Sequence, residues 1–479
     1  PTSTNTMWCG GVGGGIWKTT NSGTAWFPLS DFMANLAVSC MTMDPTNANI
    51  IYTGTGEFTY NVDGLRGAGV FKTTDGGNIW TQLAATANSS YLYVSRIAID
   101  PNNSSNLLVS TRSGIFRSTD VGTSFSQRLA ANVCDVQFHP TDSSKAVASG
   151  YGGTYYSTDA GVSWTAATGF PSSTAFNGGR IEIAYAPSNP SVVYAMYDRS
   201  NGELYVSLNG GVTFTLRSTP AHLNGQGWYD NALWVDPTTT NNVVIGGLDL
   251  WRSANGGATW SQISQWFSAP TSAHADHHAI VHNPLYNGTT VKTVFFGNDG
   301  GVYVATNVLG VSLTSGWREL NNNLGITQFY GGAGNSNSQV IVGGTQDNGD
   351  LKYTVAGGTE GWVAWDGGDG GYSAADNTDT NYFYGEYVRL QIHRTSNAGG
   401  SSVDIFAGIT DLALGLLFAI LLWCAVDRLP VFWCRMGFVS LLGLVAFLAT
   451  HAPYYIWYGY LQDYTLARSE EHTSELQSP

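Results

Sequence analysis

Short runs in which apolar and polar positions alternate cover most of the chain, and Gly, Asn, Asp and Pro separate them. One recurring element reads apolar–x–apolar–Asp–Pro, followed by a polar turn and a second apolar run. It occurs at residues 41–45 before 50–54, and at 233–237 before 243–246. A period of two between turn residues predicts β-strands. We therefore expect a pair of strands, A and B, in each repeat.

A second element follows the A–B pair: aromatic, Lys/Arg, Ser/Thr, Thr, Asp/Asn, any residue, Gly, two further residues, then Trp/Phe. Its clearest copies are residues 16–26, 70–80 and 115–125. The central Asp or Asn with Gly is typical of a tight turn, which predicts strands C and D on either side. Further copies, the last three degenerate, lie at 154–164, 204–214, 250–260, 302–317, 351–362 and 390–400.

The spacing of these turns indicates a repeat protein. A four-stranded sheet of about 45 residues cannot bury both faces alone, whereas sheets stacked around an axis can. The sequence therefore predicts an all-β fold, a β-propeller of about nine blades with the first and last incomplete. We expect the turn residues to accept main-chain N–H groups and so to be structural. They are Asn21, Asp75, Asp120, Asp159, Asn209 and Asn255.

The turn motif resembles the Asp-box, and residues 1–411 are similar to the BNR/Asp-box propeller family. That family includes sialidases, xyloglucanase-type glycoside hydrolases, sortilin-type receptors and photosystem assembly factors. The resemblance implies the fold but no single activity, because enzymes and non-enzymes share the motif. About nine units fit part of a tandem pair of seven-bladed propellers, which we favour, or most of one ten-bladed propeller.

Composition narrows the function further. Charged residues make up 11% of the chain and aromatic residues 13%, which argues against disorder and coiled coils. With 20 Lys and Arg against 34 Asp and Glu, a nucleic-acid partner is not expected, because phosphate contacts need basic side chains. The five cysteines form no regular framework, so neither disulfides nor a thiolate metal site is predicted. No pattern indicates a cofactor.

The two ends of the chain differ from the repeats. The first 15 residues run straight into a strand pattern, so we expect the chain to begin inside a longer protein. Near residue 404 the Gly- and Asn-rich sequence ends, and two apolar stretches follow at 405–426 and 436–450. They predict a short α-helical tail, either a membrane hairpin or a buried helix pair.

The last residues, 468–478, match the in-frame translation of a sequencing-library adapter. We therefore interpret 468–479 as an artefact and exclude it from the fold. Residues 412–467 are then either a segment joined from another gene or a genuine membrane anchor. The predicted domains are 1–411 for the propeller, 412–467 for the apolar hairpin and 468–479 for the artefact.

Strand order decides where functional groups can gather. Because the repeat turns join C to D, they share one rim with the A–B turns, and the B–C and D–A loops share the other rim. The D–A loops carry titratable residues at matching offsets, namely Tyr229, Asp230, Asp276, His277 and Asp369. The B–C loops add the carboxylates Glu57, Asp249, Asp299 and Asp347.

Aromatic residues alternate with these carboxylates, and this combination suits sugars. Aromatic faces stack on pyranose rings, and two carboxylates can serve as acid and as base or nucleophile. The catalytic candidates are Asp276, Asp299 and Asp369, and the predicted substrate-binding residues are Tyr229, Asp230, His274, His277, Asp249, Asp347 and Trp228. The exposed aromatics expected nearby are Trp266, Phe267 and Trp365. Alternatively, these Asp and Gly residues only build tight loops.

The densest titratable cluster is His274-Ala-Asp-His-His278. Alternation along an extended strand would place His274, Asp276 and His278 on one side. Such a set can form a hydrogen-bonded plug of the channel, contact sugar or catalyse its cleavage, or bind a divalent metal. We favour the plug and predict no metal site.

The arginines argue against one branch of the family. Sialidases of this type hold a substrate carboxylate with three arginines, one in an Arg-Ile-Pro motif, and that motif is absent here. Arg96 and Arg180 do not complete a triad. Our first hypothesis is a secreted or cell-surface propeller that binds glycans and hydrolyses them. The second is a non-catalytic propeller that binds a protein, as in sortilin-like or assembly-factor-like proteins.

Overall fold

The computed structural model describes residues 3–60, 64–171, 179–358, 361–387, 391–400 and 402–407. The predicted segments 412–467 and 468–479 lie outside these residues, so their boundaries stay predictions. The chain divides into two compact units, unit 1 (residues 1–326) and unit 2 (residues 327–479). The described residues are almost all β, as predicted, in nine antiparallel sheets that resemble propeller blades. They contain no helix with the length and apolarity needed to span a membrane.

Unit 1 holds one three-stranded sheet followed by six four-stranded sheets, each with its strands in sequence order. The first three sheets are β1 Met7–Gly11, β2 Gly15–Thr19, β3 Phe27–Pro28; β4 Val38–Met43, β5 Ile51–Thr55, β6 Val70–Thr73, β7 Thr81–Gln82; and β8 Val94–Asp100, β9 Asn103–Thr111, β10 Gly114–Ser118, β11 Ser126–Leu129. The next two are β12 Val133–Phe138, β13 Ala146–Gly150, β14 Thr154–Ser157, β15 Thr165–Ala166; and β16 Ile181–Tyr185, β17 Val193–Tyr197, β18 Glu203–Ser207, β19 Thr215–Ser218. The last two are β20 Ala232–Val235, β21 Val243–Gly246, β22 Leu250–Ser253, β23 Ser261–Gln262; and β24 His277–His282, β25 Val294–Asn298, β26 Gly301–Ala305, β27 Trp317–Glu319.

Unit 2 holds two further four-stranded sheets among its described residues. They are β28 Phe329–Asn335, β29 Val340–Thr345, β30 Gly349–Thr354, β31 Trp362–Asp366; and β32 Ser373–Ala375, β33 Phe383–Tyr387, β34 Gln391–Thr395, β35 Ser402–Ala407. Residues 405–407, expected to begin the apolar tail, instead pair with β34 as the end of a sheet. Short 3-10 helices lie at Ala84–Thr86, Ser89–Tyr91, Trp266–Ser268 and Val355–Gly357.

The first strand of each sheet in unit 1 contacts the first strand of the next, so these strands line the centre. The outermost strands β11 and β19 are mostly exposed, whereas the second strands β5, β13 and β17 are buried along their whole length. Burial on both faces is expected where sheets stack face to face. The hydrophobic cores accordingly lie between neighbouring sheets.

The first sheet of unit 1 also contacts the last one. The Trp26 indole N–H donates to the Leu320 carbonyl (2.6 Å), and the Trp26 main-chain N–H donates to the Asn322 carbonyl (3.2 Å). Leu320 packs beneath Gly23, where a Cβ atom would stand only 3.0 Å from its side chain. The sheet contacts of unit 1 therefore form a closed circle.

The repeat turns have the structural role that the sequence predicts. In the third sheet the Ser118 hydroxyl accepts the Gly122 N–H (2.9 Å) and donates to Asp120 Oδ1 (2.8 Å), which accepts the Ser124 N–H (2.9 Å). The same three bonds recur around Asp75, Asp159, Asn209 and Asn255. Each turn thus satisfies main-chain groups that the sheet leaves unpaired.

The Ser118→Ala variant should lower the free energy of unfolding by about 1–3 kcal/mol, because the buried Gly122 N–H loses its acceptor. Urea denaturation followed by tryptophan fluorescence measures this loss. Ser118→Thr is the matched control and should cost far less, since threonine occupies the equivalent positions Thr19 and Thr73. Equal losses in both variants would contradict the hydrogen-bond explanation.

Candidate active site

The predicted site residues of unit 1 lie at one edge of its sheets. Hydrogen bonds join the repeat turns to the A–B turns at the opposite edge, as from the Gly76 N–H to the Asn49 carbonyl (3.0 Å) and from the Gly256 N–H to the Asn241 carbonyl (2.9 Å). The B–C and D–A loops therefore share the other edge, as strand order predicts. We call this second edge the loop edge.

Two candidate carboxylates meet at the loop edge of unit 1. An oxygen of Asp276 and an oxygen of Asp299 lie within 4.8 Å of each other. Asp276 directly precedes β24, and Asp299 lies in the tight turn between β25 and β26. The pairing of β24 with β25 brings these two positions to the same end of the sheet. Carboxyl groups about 5–5.5 Å apart are typical of glycosidases that retain anomeric configuration.

Asp299 receives hydrogen bonds from two aromatic neighbours. The Tyr229 hydroxyl donates to Asp299 Oδ2 (2.9 Å), and His278 Nε2 lies 2.8 Å from Asp299 Oδ1. The Tyr229 and His278 rings meet edge to face with centroids 4.7 Å apart. Donors to a carboxylate favour its ionised form. Asp299 is therefore held in one orientation and suited to carry negative charge.

The pKa values of two groups beside Asp299 are both raised. Burial, and then the Asp299 charge, raise the pKa of Asp276, so Asp276 holds a proton more strongly than an exposed aspartate. Burial, followed by Asp299 and Glu57, raises the pKa of Tyr229 far above its ordinary value, which keeps its phenol protonated as a donor. The pair thus combines a carboxyl group with a raised pKa and one that is hydrogen-bonded to two neighbouring side chains.

The predicted alternation of His274, Asp276 and His278 along a strand is wrong. Strand β24 begins only at His277, and Asp276 has a left-handed backbone (φ 61°). The register then shifts between His277 and Ala279, which makes His278 the extra residue of a bulge. Asp276 and His278 approach the same Asp299 through this turn and bulge rather than through alternation.

The other two histidines are packed into the structure. His277 is fully buried against Phe296, and burial lowers its pKa to about 3, so its ring is neutral. Such a ring is unable to touch a polymer at the surface, which argues against the predicted substrate contact. His274 lies against Gly300, where a Cβ would stand 2.4 Å from imidazole Cγ. Only glycine allows this approach beside Asp299.

The D–A loop with Tyr229 contributes one exposed and one buried side chain. Trp228 is 40% exposed, and its ring centroid is 5.6 Å from that of Tyr229. Asp230 is fully buried. Its neighbours are fixed by Arg180, which donates to the carbonyls of Tyr229 (2.7 Å) and Asn231 (3.3 Å). Trp228 is open to a ligand, and Asp230 is not.

Asp249 holds a neighbouring loop in place. Its oxygens accept the Ser264 hydroxyl (2.9 Å), the Trp266 N–H (2.9 Å) and the Gln262 amide (3.0 Å). This is the loop-building role that the sequence left as an alternative. The loop it holds displays Trp266 and Phe267, which are 45% and 68% exposed and stand perpendicular to each other.

Arg96 and Arg180 are engaged in structural bonds. Arg180 and Arg96 both pair with the buried Glu182, and Arg96 also binds Asp135 (2.9 Å). These bonds connect three adjacent inner strands, β8, β12 and β16. The guanidinium groups of Arg96 and Arg180 are therefore paired with acidic side chains of unit 1.

Unit 2 holds the remaining candidates. Asp369 lies in the D–A loop between β31 and β32, and its Oδ1 accepts the Asp347 main-chain N–H (3.1 Å). Asp347 lies in the B–C loop before β30. Trp365 is only 9% exposed, so its predicted role as an open sugar platform is not supported. The catalytic role of Asp369 stays a prediction.

The sequence did not single out a second acidic cluster in unit 2. Asp350 is buried, and burial, together with Asp366 and Glu386, raises its pKa to about 7. Its carboxylate occupies the space that a side chain at Gly385 would fill, 2.1 Å from the position of such a Cβ. His393 pairs with Asp366 (2.9 Å). These residues are distant in sequence and share no motif, so only the packing of β30 on β33 reveals them.

The chain is similar in sequence and in structure to known glycoside hydrolases. A xyloglucanase of Hypocrea jecorina is 33% identical over 125 residues, which is 23% of this chain and 15% of that enzyme. The chain thus matches only a small part of that enzyme's length. No family model matches the chain.

Two solved structures share the fold. The GH74 enzyme of Niastella koreensis has a TM-score of 0.54 and 18% identity, over 84% of this chain and 77% of that one. An ancestral GH74 enzyme has a TM-score of 0.59 and 18% identity, over 84% of this chain and 61% of that one. The chain therefore has a glycoside-hydrolase-like propeller fold.

Proposed function

We propose that this protein is an Asp-box propeller that binds a polysaccharide and hydrolyses it at the loop edge of unit 1. The observation that carries the proposal is the approach of Asp276 and Asp299 to within 4.8 Å, one with a raised pKa and the other held by two donors. The similarity to a xyloglucanase supports a β-glucan of the xyloglucan type as the substrate. A closed circle of seven sheets supports a complete propeller in unit 1.

From this geometry we assign a role to each carboxyl group. Asp299, held as an anion by Tyr229 and His278, attacks the anomeric carbon, and Asp276 gives its proton to the departing glycosidic oxygen. Asp276 then removes a proton from a water molecule, which displaces Asp299 from the sugar and restores both groups. The short separation predicts retention of the anomeric configuration.

The exposed aromatic residues supply the binding surface. Trp228 stands beside the acid pair, and Trp266 and Phe267 are displayed on the neighbouring D–A loop. Aromatic faces of this kind bury the apolar faces of pyranose rings. A polysaccharide substrate implies an extracytoplasmic location, either secreted or at the cell surface, because polymers of this kind do not enter cells.

A substrate panel tests this proposal directly. Purified protein should release reducing ends from xyloglucan, and more slowly or not at all from starch and xylan, which differ in linkage or backbone sugar. Proton NMR of the first products should show the β-anomer if the substrate is β-linked and the configuration is retained. Binding of these polymers without release of reducing ends would refute the hydrolase and favour a non-catalytic propeller.

A further inference from the structure

The side chain of Asp230 lies where an ionised carboxylate would be unfavourable. It is fully buried, and within the described part of the chain neither of its oxygens accepts a hydrogen bond from the N–H or hydroxyl group of another residue. The carboxyl group of Asp276 faces it from the D–A loop of the next sheet. Two carboxyl groups can share a hydrogen bond only if one of them is protonated.

The surroundings of Asp230 favour its neutral, protonated form over the carboxylate. Burying an unpaired carboxylate is very unfavourable, whereas a neutral carboxyl with one acceptor is satisfied. The nearby cation Arg180 donates from Nη1 and Nη2 to Glu182 and to the carbonyls of Tyr229 and Asn231, and among the described residues none of its hydrogen bonds reaches Asp230. The charged and titratable groups facing the Asp230–Asp276 pair are Arg180, Asp299, His274 and His278.

We propose that Asp230 is a permanently protonated positioning residue whose hydroxyl donates a hydrogen bond to the Asp276 carboxyl group. The proposal rests on the proposed function, in which Asp276 gives up a proton during the reaction. When it does so, the Asp230 hydroxyl stabilises the carboxylate that remains. Asp230 keeps its own proton throughout and never touches the substrate.

The electrostatics agree with this geometry. Burial, and then the charge of Asp276, raise the pKa of Asp230 to about 9, far above about 3.9 for an unfolded aspartate. A raised folded pKa means that the native state binds the proton more tightly than the unfolded state. The contribution of Asp230 to stability is therefore present at low pH and is lost as pH rises from about 4 toward about 9.

Two substitutions test the proposal. Asp230→Asn keeps a donor toward Asp276 and should hydrolyse substrate within about threefold of the native rate. Asp230→Val removes the donor and should lower kcat roughly 10–100-fold with little change in KM, and it should move the basic limb of the pH profile upward, because ionised Asp276 loses a hydrogen bond.

A spectroscopic measurement decides the proposal without any substrate. At pH 7.5 the native protein should show a stronger infrared carbonyl stretch from protonated carboxyl groups than Asp230→Asn does. The difference between the two spectra isolates the Asp230 band from any contribution of Asp276 and Asp350, whose pKa values are also raised. The melting temperature of Asp230→Asn should also increase relative to that of the native protein as pH rises toward 9. A native spectrum equal to that of Asp230→Asn would overturn the proposal, as would equal losses of rate in the Asn and Val variants. If no variant hydrolyses any polymer while the band is present, the hydrolase fails and the protonated Asp230 stands.

Discussion

Asp276→Asn and Asp299→Asn are each expected to lower the rate of xyloglucan hydrolysis roughly 10²–10⁴-fold while leaving binding almost unchanged. Both substitutions keep the shape of the side chain and remove its ability to exchange a proton or to attack. Reducing-end assays give the rate, and isothermal titration with a xyloglucan oligosaccharide gives the affinity. The effect is large because the two carboxyl groups meet at one place, within 4.8 Å.

A second substrate separates the two roles. An aryl glycoside with a good leaving group needs little help from an acid, so Asp276→Asn should cleave it much faster than Asp299→Asn does. The matched control is Asp142→Asn, an exposed aspartate in the A–B turn at the opposite edge of the sheets, which should retain native activity. Full activity in either Asp276→Asn or Asp299→Asn would rule out the proposed pair.

Trp26→Ala is expected to lower the free energy of unfolding of unit 1 by about 3–5 kcal/mol, the usual cost of removing a buried tryptophan. Trp26 is 4% exposed and joins the first sheet to Leu320 and Asn322 of the last one. Its removal leaves a cavity and exposes the edge at which the circle of sheets closes. Urea denaturation measures the loss.

Trp80→Ala is the matched control for this contact. Trp80 occupies the same position in the repeat but is partly exposed and packs between the first two sheets, near Gly77. The Trp80→Ala variant should lower the free energy of unfolding by less than Trp26→Ala does, and it should leave the contact between the first and last sheets intact. Limited proteolysis should cut Trp26→Ala first near residues 1–30. A Trp26→Ala loss no larger than that of Trp80→Ala would show that closure adds nothing to stability.

The repeat pattern predicted most of the fold because its signals are local. A period of two, an Asp-Pro stop and a Ser/Thr–x–Asp/Asn–x–Gly turn each act within about ten residues, through main-chain hydrogen bonds that the same residues make in the structure. Strand order then placed the B–C and D–A loops at one edge without further information.

The candidate site was only partly predictable, because contact between loops depends on backbone details. Sequence offsets predicted that Asp276 and Asp299 lie at the same edge, but they did not predict the distance between the two carboxyl groups. The left-handed Asp276 and the bulge at His278 have no sequence signature, and they replaced the predicted alternation. The remaining candidates differ in exposure: Trp228 is accessible to solvent, whereas His277 and Asp230 are buried.

By itself the sequence determined an all-β repeat architecture, the structural role of the turn residues and the edge at which acids and aromatic residues collect. The tertiary structure alone decided which acids are neighbours, which are buried and which hold a proton. The reason is physical: hydrogen bonds within a turn depend on residues adjacent in the chain. By contrast, the charge state of Asp276 depends on Asp299 and Asp230, which reach it only through the stacking of two sheets.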